Sequence, residues 1–271
     1  MTLTQTVHQG LRAVRGKGPG SWARNAWKRH LFRHAPRAHL FQGVFGSFQE
    51  AVASTPGHKP LSYDNAASAS MYRDRLFIDE HDYPAIFWIA ESLREGMRTV
   101  ADVGGAVGIK YFAFQKVLDW PEGLRWQVID MPAVAEEGRR FADELGASPD
   151  VLCFSDELQD ADGVDLFYAS GVLQYLDKSL PEILQGYAKK PRRLLINTTP
   201  IHEQHAYFTL NSIGTAYCGY RIEAREAFIE AIEAQGYLLR DDWINAGKKM
   251  EIIGSPEYSL DHYSGFCFDR V

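Results

Sequence analysis

The stretch Val100-Ala-Asp102-Val-Gly104-Gly105-Ala106-Val107-Gly108-Ile-Lys110 decides the fold. Residues 98–103 before it form a short β-rich run and residues 109–118 after it read as a helix, so the glycines stand at a strand-to-helix turn. Such a turn lets a ligand approach the backbone, and the helix N-terminus behind it offers unpaired N–H groups. Outward from the turn, further strands are predicted at 125–130, 150–154, 164–169 and 193–198, with helices at 133–145 and 180–189. This alternation predicts an α/β domain with a parallel sheet covered on both faces. The C-terminal end departs from it: a helix over 223–235 is followed by β-rich runs at 237–244 and 263–269 with no helix between them, which predicts an antiparallel closing pair.

Two cofactor classes use such a turn. The dinucleotide pattern G-x-G-x-x-G finds Ala106 and Ile109 where it needs glycine, whereas D-x-G-x-x-x-G is matched by Asp102, Gly104 and Gly108, with Gly105 between them. An acid at the strand end suits S-adenosylmethionine, whose α-amino group it could hold directly or through water. Asp130, in Ile-Asp130-Met131-Pro132, ends the next strand where a carboxylate can accept both ribose hydroxyls; the competing role is an N-cap for the helix at Pro132. Ser155 and Asp156 end the third strand and could bind the adenine amino group, or serve only as a turn. After the fourth, Ser170 and Gly171 leave room for the methionine part, with Gln174 or Tyr175 facing the substrate and Leu173 in the core. Met131 completes the set of expected cofactor contacts.

Composition narrows the rest. The 271 residues, 45% hydrophobic, suffice for a large core and exclude disorder and small disulfide scaffolds. Three separated cysteines give neither a disulfide framework nor a zinc site, and no metal is expected. No apolar run is long enough to span a bilayer and no secretory signal is seen, so the cytoplasm is the expected location. Residues 1–49 hold eight Lys or Arg and no acid; the other 21 basic residues face all 35 acids, leaving a +8 head and a −14 remainder. The expected division is a basic helical N-terminal extension, 1–80, and a catalytic domain, 81–271. Short helices are predicted at 21–34 and after the capping box Ser47-Phe-Gln-Glu50, and a strongly apolar one from Tyr83 to Leu93. The head could cover an anionic acceptor, rest on a membrane or lipid-linked substrate through Trp22, Trp27 and Phe32, form a homodimer contact, or simply be a solvated helix.

Longer stretches carry a resemblance: Phe41-Gln-Gly43-Val-Phe-Gly-Ser47-Phe-Gln-Glu50-Ala51, Tyr63-Asp64-Asn65, Asp82-Tyr-Pro84, the glycine turn, Val128-Ile-Asp130-Met-Pro132, Ala169-Ser-Gly-Val-Leu-Gln-Tyr175, Asn197-Thr-Thr-Pro200, Thr209-Leu-Asn-Ser-Ile-Gly-Thr-Ala-Tyr-Cys218-Gly-Tyr-Arg221 and Tyr258-Ser-Leu-Asp-His-Tyr263. From about residue 40 onward the chain resembles a bacterial family of class I S-adenosylmethionine-dependent methyltransferases associated with polysaccharide or secondary-metabolite genes. It departs from that family at Ala106, Asn211-Ser212 and Gly219. The resemblance implies a Rossmann-like fold of seven strands, mostly parallel with an antiparallel last strand, and methyl transfer to a small molecule.

A hydroxyl acceptor, on a sugar or secondary metabolite, needs a base. His202, on the loop after the fifth strand, is the first candidate, with His205 and Tyr175 in reserve. The Asn/Asp-Pro-Pro-aromatic loop of many amino-group methyltransferases is missing, and the acidic body lacks a basic stripe, so no nucleic-acid partner is expected. N- or C-methylation, a nicotinamide-dependent oxidoreductase and a non-catalytic binding subunit are the alternatives.

Overall fold

The computed structural model describes residues 19–35, 39–57, 59–61, 73 and 76–271. Residues 1–18 and 36–38 of the +8 head and the Tyr63-Asp64-Asn65 motif lie outside the described residues. The elements are α1 (Pro19–His34), β1 (Leu40–Phe45), α2 (Phe48–Ala53), α3 (Tyr83–Arg94), β2 (Thr99–Val103), α4 (Ile109–Phe114), β3 (Arg125–Ile129), α5 (Pro132–Glu144), β4 (Leu152–Ser155), β5 (Leu166–Ser170), α6 (Leu180–Gln185), β6 (Arg193–Thr199), β7 (Ile201–His202), β8 (Tyr207–Ser212), β9 (Tyr217–Ala224), α7 (Arg225–Glu233), β10 (Tyr237–Met250) and β11 (Leu260–Arg270).

Seven strands form one sheet in the order β10-β11-β6-β5-β2-β3-β4. β4, β3, β2, β5 and β6 pair in parallel, and β11 runs antiparallel to β6 with Phe266 opposite Ile196. This is the Rossmann-like, mostly parallel arrangement expected for a class I methyltransferase fold. Its strands are apolar because both faces are covered: β2 and β5 are buried from Val100 to Val103 and from Leu166 to Ala169. The core beside them is unusually aromatic, with Tyr111, Phe112, Phe114, Trp126, Phe141 and Tyr168 packed in one cluster. Arg193, only 1% exposed, opens β6. It is tolerated there because Asp269, Glu95 and the Ser92 hydroxyl all accept from its guanidinium.

The chain divides into two compact units. One comprises residues 63–199, 227–245 and 264–271; the other comprises 1–62, 200–226 and 246–263. By contacts, the N-terminal segment groups with two downstream segments. The second unit contains a sheet with no counterpart among the expected elements, in the order β1-β8-β9-β7. In it Leu40 pairs with Ser212 and Phe41 with Asn211, while Tyr207 on β8 pairs with Ile222 on β9. The N-terminal extension is thus not purely helical. The helix expected from residue 223 begins at Arg225, because Glu223 and Ala224 are held in β9 by β7. The Ser47 box forms largely as read: the Ser47 hydroxyl accepts from Glu50 N, and the Glu50 carboxylate takes the Gly46 N–H.

Candidate functional site

The glycine turn sits at the C-terminal end of β2, an interior strand of the seven-stranded sheet between β5 and β3, where open α/β sheets bind ligands. Three of its residues hold left-handed backbone: Gly104 at φ 74°, Ala106 at φ 52° and Gly108 at φ 83°. Gly105 is required for a different reason. A Cβ there would lie 2.5 Å from the Asp102 carboxylate, which is tucked beneath the turn. Asp102 is 1% exposed and accepts a hydrogen bond from Trp126 Nε1 at 3.1 Å. Burial pushes its pKa up to about 7, with the Trp126 bond and the Lys110 charge opposing the rise.

Asp130 closes the turn from the neighbouring strand end. Its Oδ2 accepts from Ala106 N at 2.9 Å and its Oδ1 from Met131 N at 2.8 Å. The carboxylate therefore fixes the one non-glycine left-handed residue of the turn and the start of α5 together, so a local structural role is real. Met131 is 40% exposed beside it.

Other candidates divide. The Ser155 hydroxyl donates to Asp160 and accepts from Glu157 N, which places it in the turn role, while Asp156 is exposed. Ser170 is half-buried, with Asn197 Nδ2 at 3.4 Å from its hydroxyl. At Gly171, φ 73°, a Cβ would meet only Gln174 Nε2 at 3.9 Å and Thr198 Cβ at 4.0 Å, so there is room beside this residue. Gln174 is 4% exposed and its carboxamide oxygen has no hydrogen-bond partner. Gln174 and Tyr175 belong to a one-turn 3-10 helix, Leu173–Tyr175, in which Leu173 is buried as expected.

Two features escape sequence reading. Val172 lies directly over Gly104, where a Cβ would meet its side chain at 2.4 Å, so the space that this glycine opens is filled by protein. Thr198, at the end of β6, has φ 55°, a genuine outlier for a β-branched residue. Its N–H is held by Asn245 Oδ1, and the Asn245 amide in turn donates to Asn197 Oδ1, which also receives Trp243 Nε1. Only the pairing of Asn, Thr and Pro at residues 197–200 hints at this from the sequence.

His202 and His205 belong to the unit containing residues 200–226. His202 Nδ1 accepts from the backbone N–H groups of both Gln204 and His205 at 3.0 Å, which fixes the tautomer with the proton on Nε2, donated to Glu257 O at 3.1 Å. The only lone pair of its neutral ring is therefore engaged in holding the loop. His205 is exposed, its ring centroid 4.9 Å from that of His202 and 5.4 Å from that of Tyr258.

The donor set fits S-adenosylmethionine on an observation of this structure: a buried carboxylate under the turn, a second carboxylate at the neighbouring strand end, and an unpartnered buried Gln174 oxygen are all acceptors suited to a cationic, diol-bearing ligand. No family model and no curated protein matches the chain. Among solved structures, it is similar to the mitomycin 7-O-methyltransferase MmcR, with 16% identity, TM-score 0.47, and coverage of 94% of this chain and 69% of that one. Magnesium protoporphyrin IX methyltransferase from Synechocystis PCC 6803, solved with bound SAH, is 14% identical over 77% of this chain and 96% of that one, with TM-score 0.49. The neocarzinostatin-biosynthesis O-methyltransferase NcsB1, in complex with SAH and 1,4-dihydroxy-2-naphthoic acid, is 19% identical over 83% of this chain and 62% of that one, with TM-score 0.47.

Proposed function

We propose that the protein is an S-adenosylmethionine-dependent methyltransferase acting on a small molecule, with a hydroxyl of a sugar or secondary metabolite as the accepting group. The observation that carries this reading is the Asp102 carboxylate, buried at the end of β2, its pKa pushed up to about 7, beneath a turn that only glycine at position 105 allows. Such a group gains from a cation placed over the turn. S-adenosylmethionine supplies a sulfonium-bound methyl group when bound.

In this reading Asp102 attracts the ammonium of the amino-acid portion, Asp130 holds the ribose diol, and Ser170 with Gly171 leaves space for the methionine chain. Methyl transfer then needs mainly alignment of nucleophile and methyl carbon. His202 is set aside as the base, since it spends its lone pair on two backbone donors. Tyr175 stays in reserve. Ser155 contributes by shaping the turn at the end of β4, with Asp156 beside it as the adenine contact. A cytoplasmic location and the lack of a nucleic-acid partner belong to the same proposal.

Calorimetric titration with S-adenosylhomocysteine tests it. Binding by the wild type, weakened at least tenfold by Asp102→Ala (roughly the loss of one charge-assisted contact), is expected. No heat of binding in the wild type would end the cofactor reading.

A further inference from the structure

The first described helix carries a surface that the proposed chemistry does not use. α1 holds Arg24, Lys28, Arg29 and Arg33 and no acidic residue. Its C-terminal half is fixed to its own unit. Phe32 is fully buried, stacked on Tyr217 at 5.3 Å, and joined in one cluster with Leu210 and Ile253. Lys59 Nζ donates to the carbonyls of Phe32 and Ala35, closing the end of the helix, and Lys28 pairs with Glu251.

Anchoring Phe32 inward fixes what faces outward. Trp22, Ala26, His30 and Arg33 follow the i, i+4, i+8, i+11 spacing of one helix face, with Trp27 on its flank. Trp22 is 75% exposed and Trp27 61%. Trp27 stacks on His30, with centroids 5.6 Å apart, which holds its indole against the outer face. Two exposed indoles set among arginines, on a helix that cannot roll to bury them, form the surface of an interfacial helix.

We propose that this face of α1 docks on an anionic lipid surface, the indoles entering the headgroup region while Arg29 and Arg33, which lie about 20° to either side of Trp22 around the helix, meet lipid phosphates. Charge complementarity selects this occupant. The helix carries four Lys or Arg side chains and no carboxylate, so an anionic surface is its complement; docking on the acidic remainder of a second copy is the homodimer outcome that the test separates. The inference is independent of the cofactor reading.

The test is co-sedimentation of the full-length protein with sucrose-loaded vesicles. Phosphatidylcholine vesicles carrying about one-third phosphatidylglycerol should pellet the protein, pure phosphatidylcholine should not, and pelleting should fall as NaCl rises from about 0.05 M to about 0.5 M. Arg29→Glu with Arg33→Glu should weaken the partition by well over tenfold, at roughly fivefold for each cation removed. Trp22→Ala with Trp27→Ala should abolish pelleting, while Phe87→Ala, which removes an equally exposed ring on α3, should leave it intact. All variants alter exposed side chains, so unchanged circular dichroism and melting confirm that they fold. S-adenosylhomocysteine affinity, measured on the same samples, separates failure of this proposal from failure of the cofactor site. Three results would overturn it: no pelleting with anionic vesicles, pelleting unaffected by the tryptophan pair, or a homodimer in solution that the tryptophan pair dissolves without any lipid binding.

Discussion

Asp102 sets the balance between stability and binding at the scale of a single residue. Its folded pKa of about 7 lies above the unfolded value of 3.8, so the folded state holds the extra proton between these limits. By linkage, stability falls as pH climbs through that window and stays at its lower level above it. Asp102→Asn removes the penalty. At pH 8 the variant is expected to be more stable than wild type by up to about 4 kcal/mol, and at pH 4 nearly equal, as read by denaturant unfolding. Its S-adenosylhomocysteine affinity should fall in exchange. Thr198 offers a second trade. Left-handed backbone at a β-branched residue stores about 1–3 kcal/mol, held here by Asn245. Thr198→Gly should therefore raise stability by about 1 kcal/mol, and Asn245→Ala should lower it by about 2 kcal/mol. In the Thr198→Gly background the Asn245→Ala loss should shrink, a coupling that a double-mutant cycle measures. Of these two residues, Asp102 is legible in the sequence, because its spacing to Gly104 and Gly108 is a local pattern. Thr198 is not, because its φ is imposed by a side chain 47 residues away.

At the scale of elements, the strand–turn–helix unit β2–α4 follows from short-range physics: apolar strand, glycine turn, helix. The parallel strands were predicted within two residues of their observed ends for the same reason, since continuous apolar runs bounded by turn signals need no partner to be recognised. β1 is different. Leu40-Phe-Gln-Gly-Val-Phe45 is short and interrupted by Gly43, and it becomes a strand only because β8, about 170 residues later, supplies its hydrogen bonds. α1 likewise reads as a helix from its spacing, yet its orientation rests on Phe32. Phe32→Ala should cost about 3 kcal/mol, through loss of the Tyr217 stack and the cavity left among Leu210 and Ile253. Thermal unfolding followed by near-ultraviolet circular dichroism checks it.

At the scale of the whole molecule, the chain visits each compact unit in three separate segments. Removing residues 1–36 therefore does more than trim a tail: it takes Phe32 out of its cluster and leaves Tyr217 uncovered. The truncated protein is expected to melt at lower temperature while keeping wild-type affinity for S-adenosylhomocysteine, since Asp102, Asp130, Ser170 and Gly171 all belong to the other unit. Loss of that affinity on truncation would show instead that the head takes part in binding. By itself the sequence determined the seven-stranded α/β core, the glycine turn and the two acids beside it, because strand burial, helix periodicity and turn chemistry act over a few residues. Only the tertiary structure decided the second sheet, the Val172 side chain over Gly104, the locked ring of His202 and the outward face of α1. Those features depend on contacts between residues remote in the chain or on where a side chain points, which local patterns do not encode.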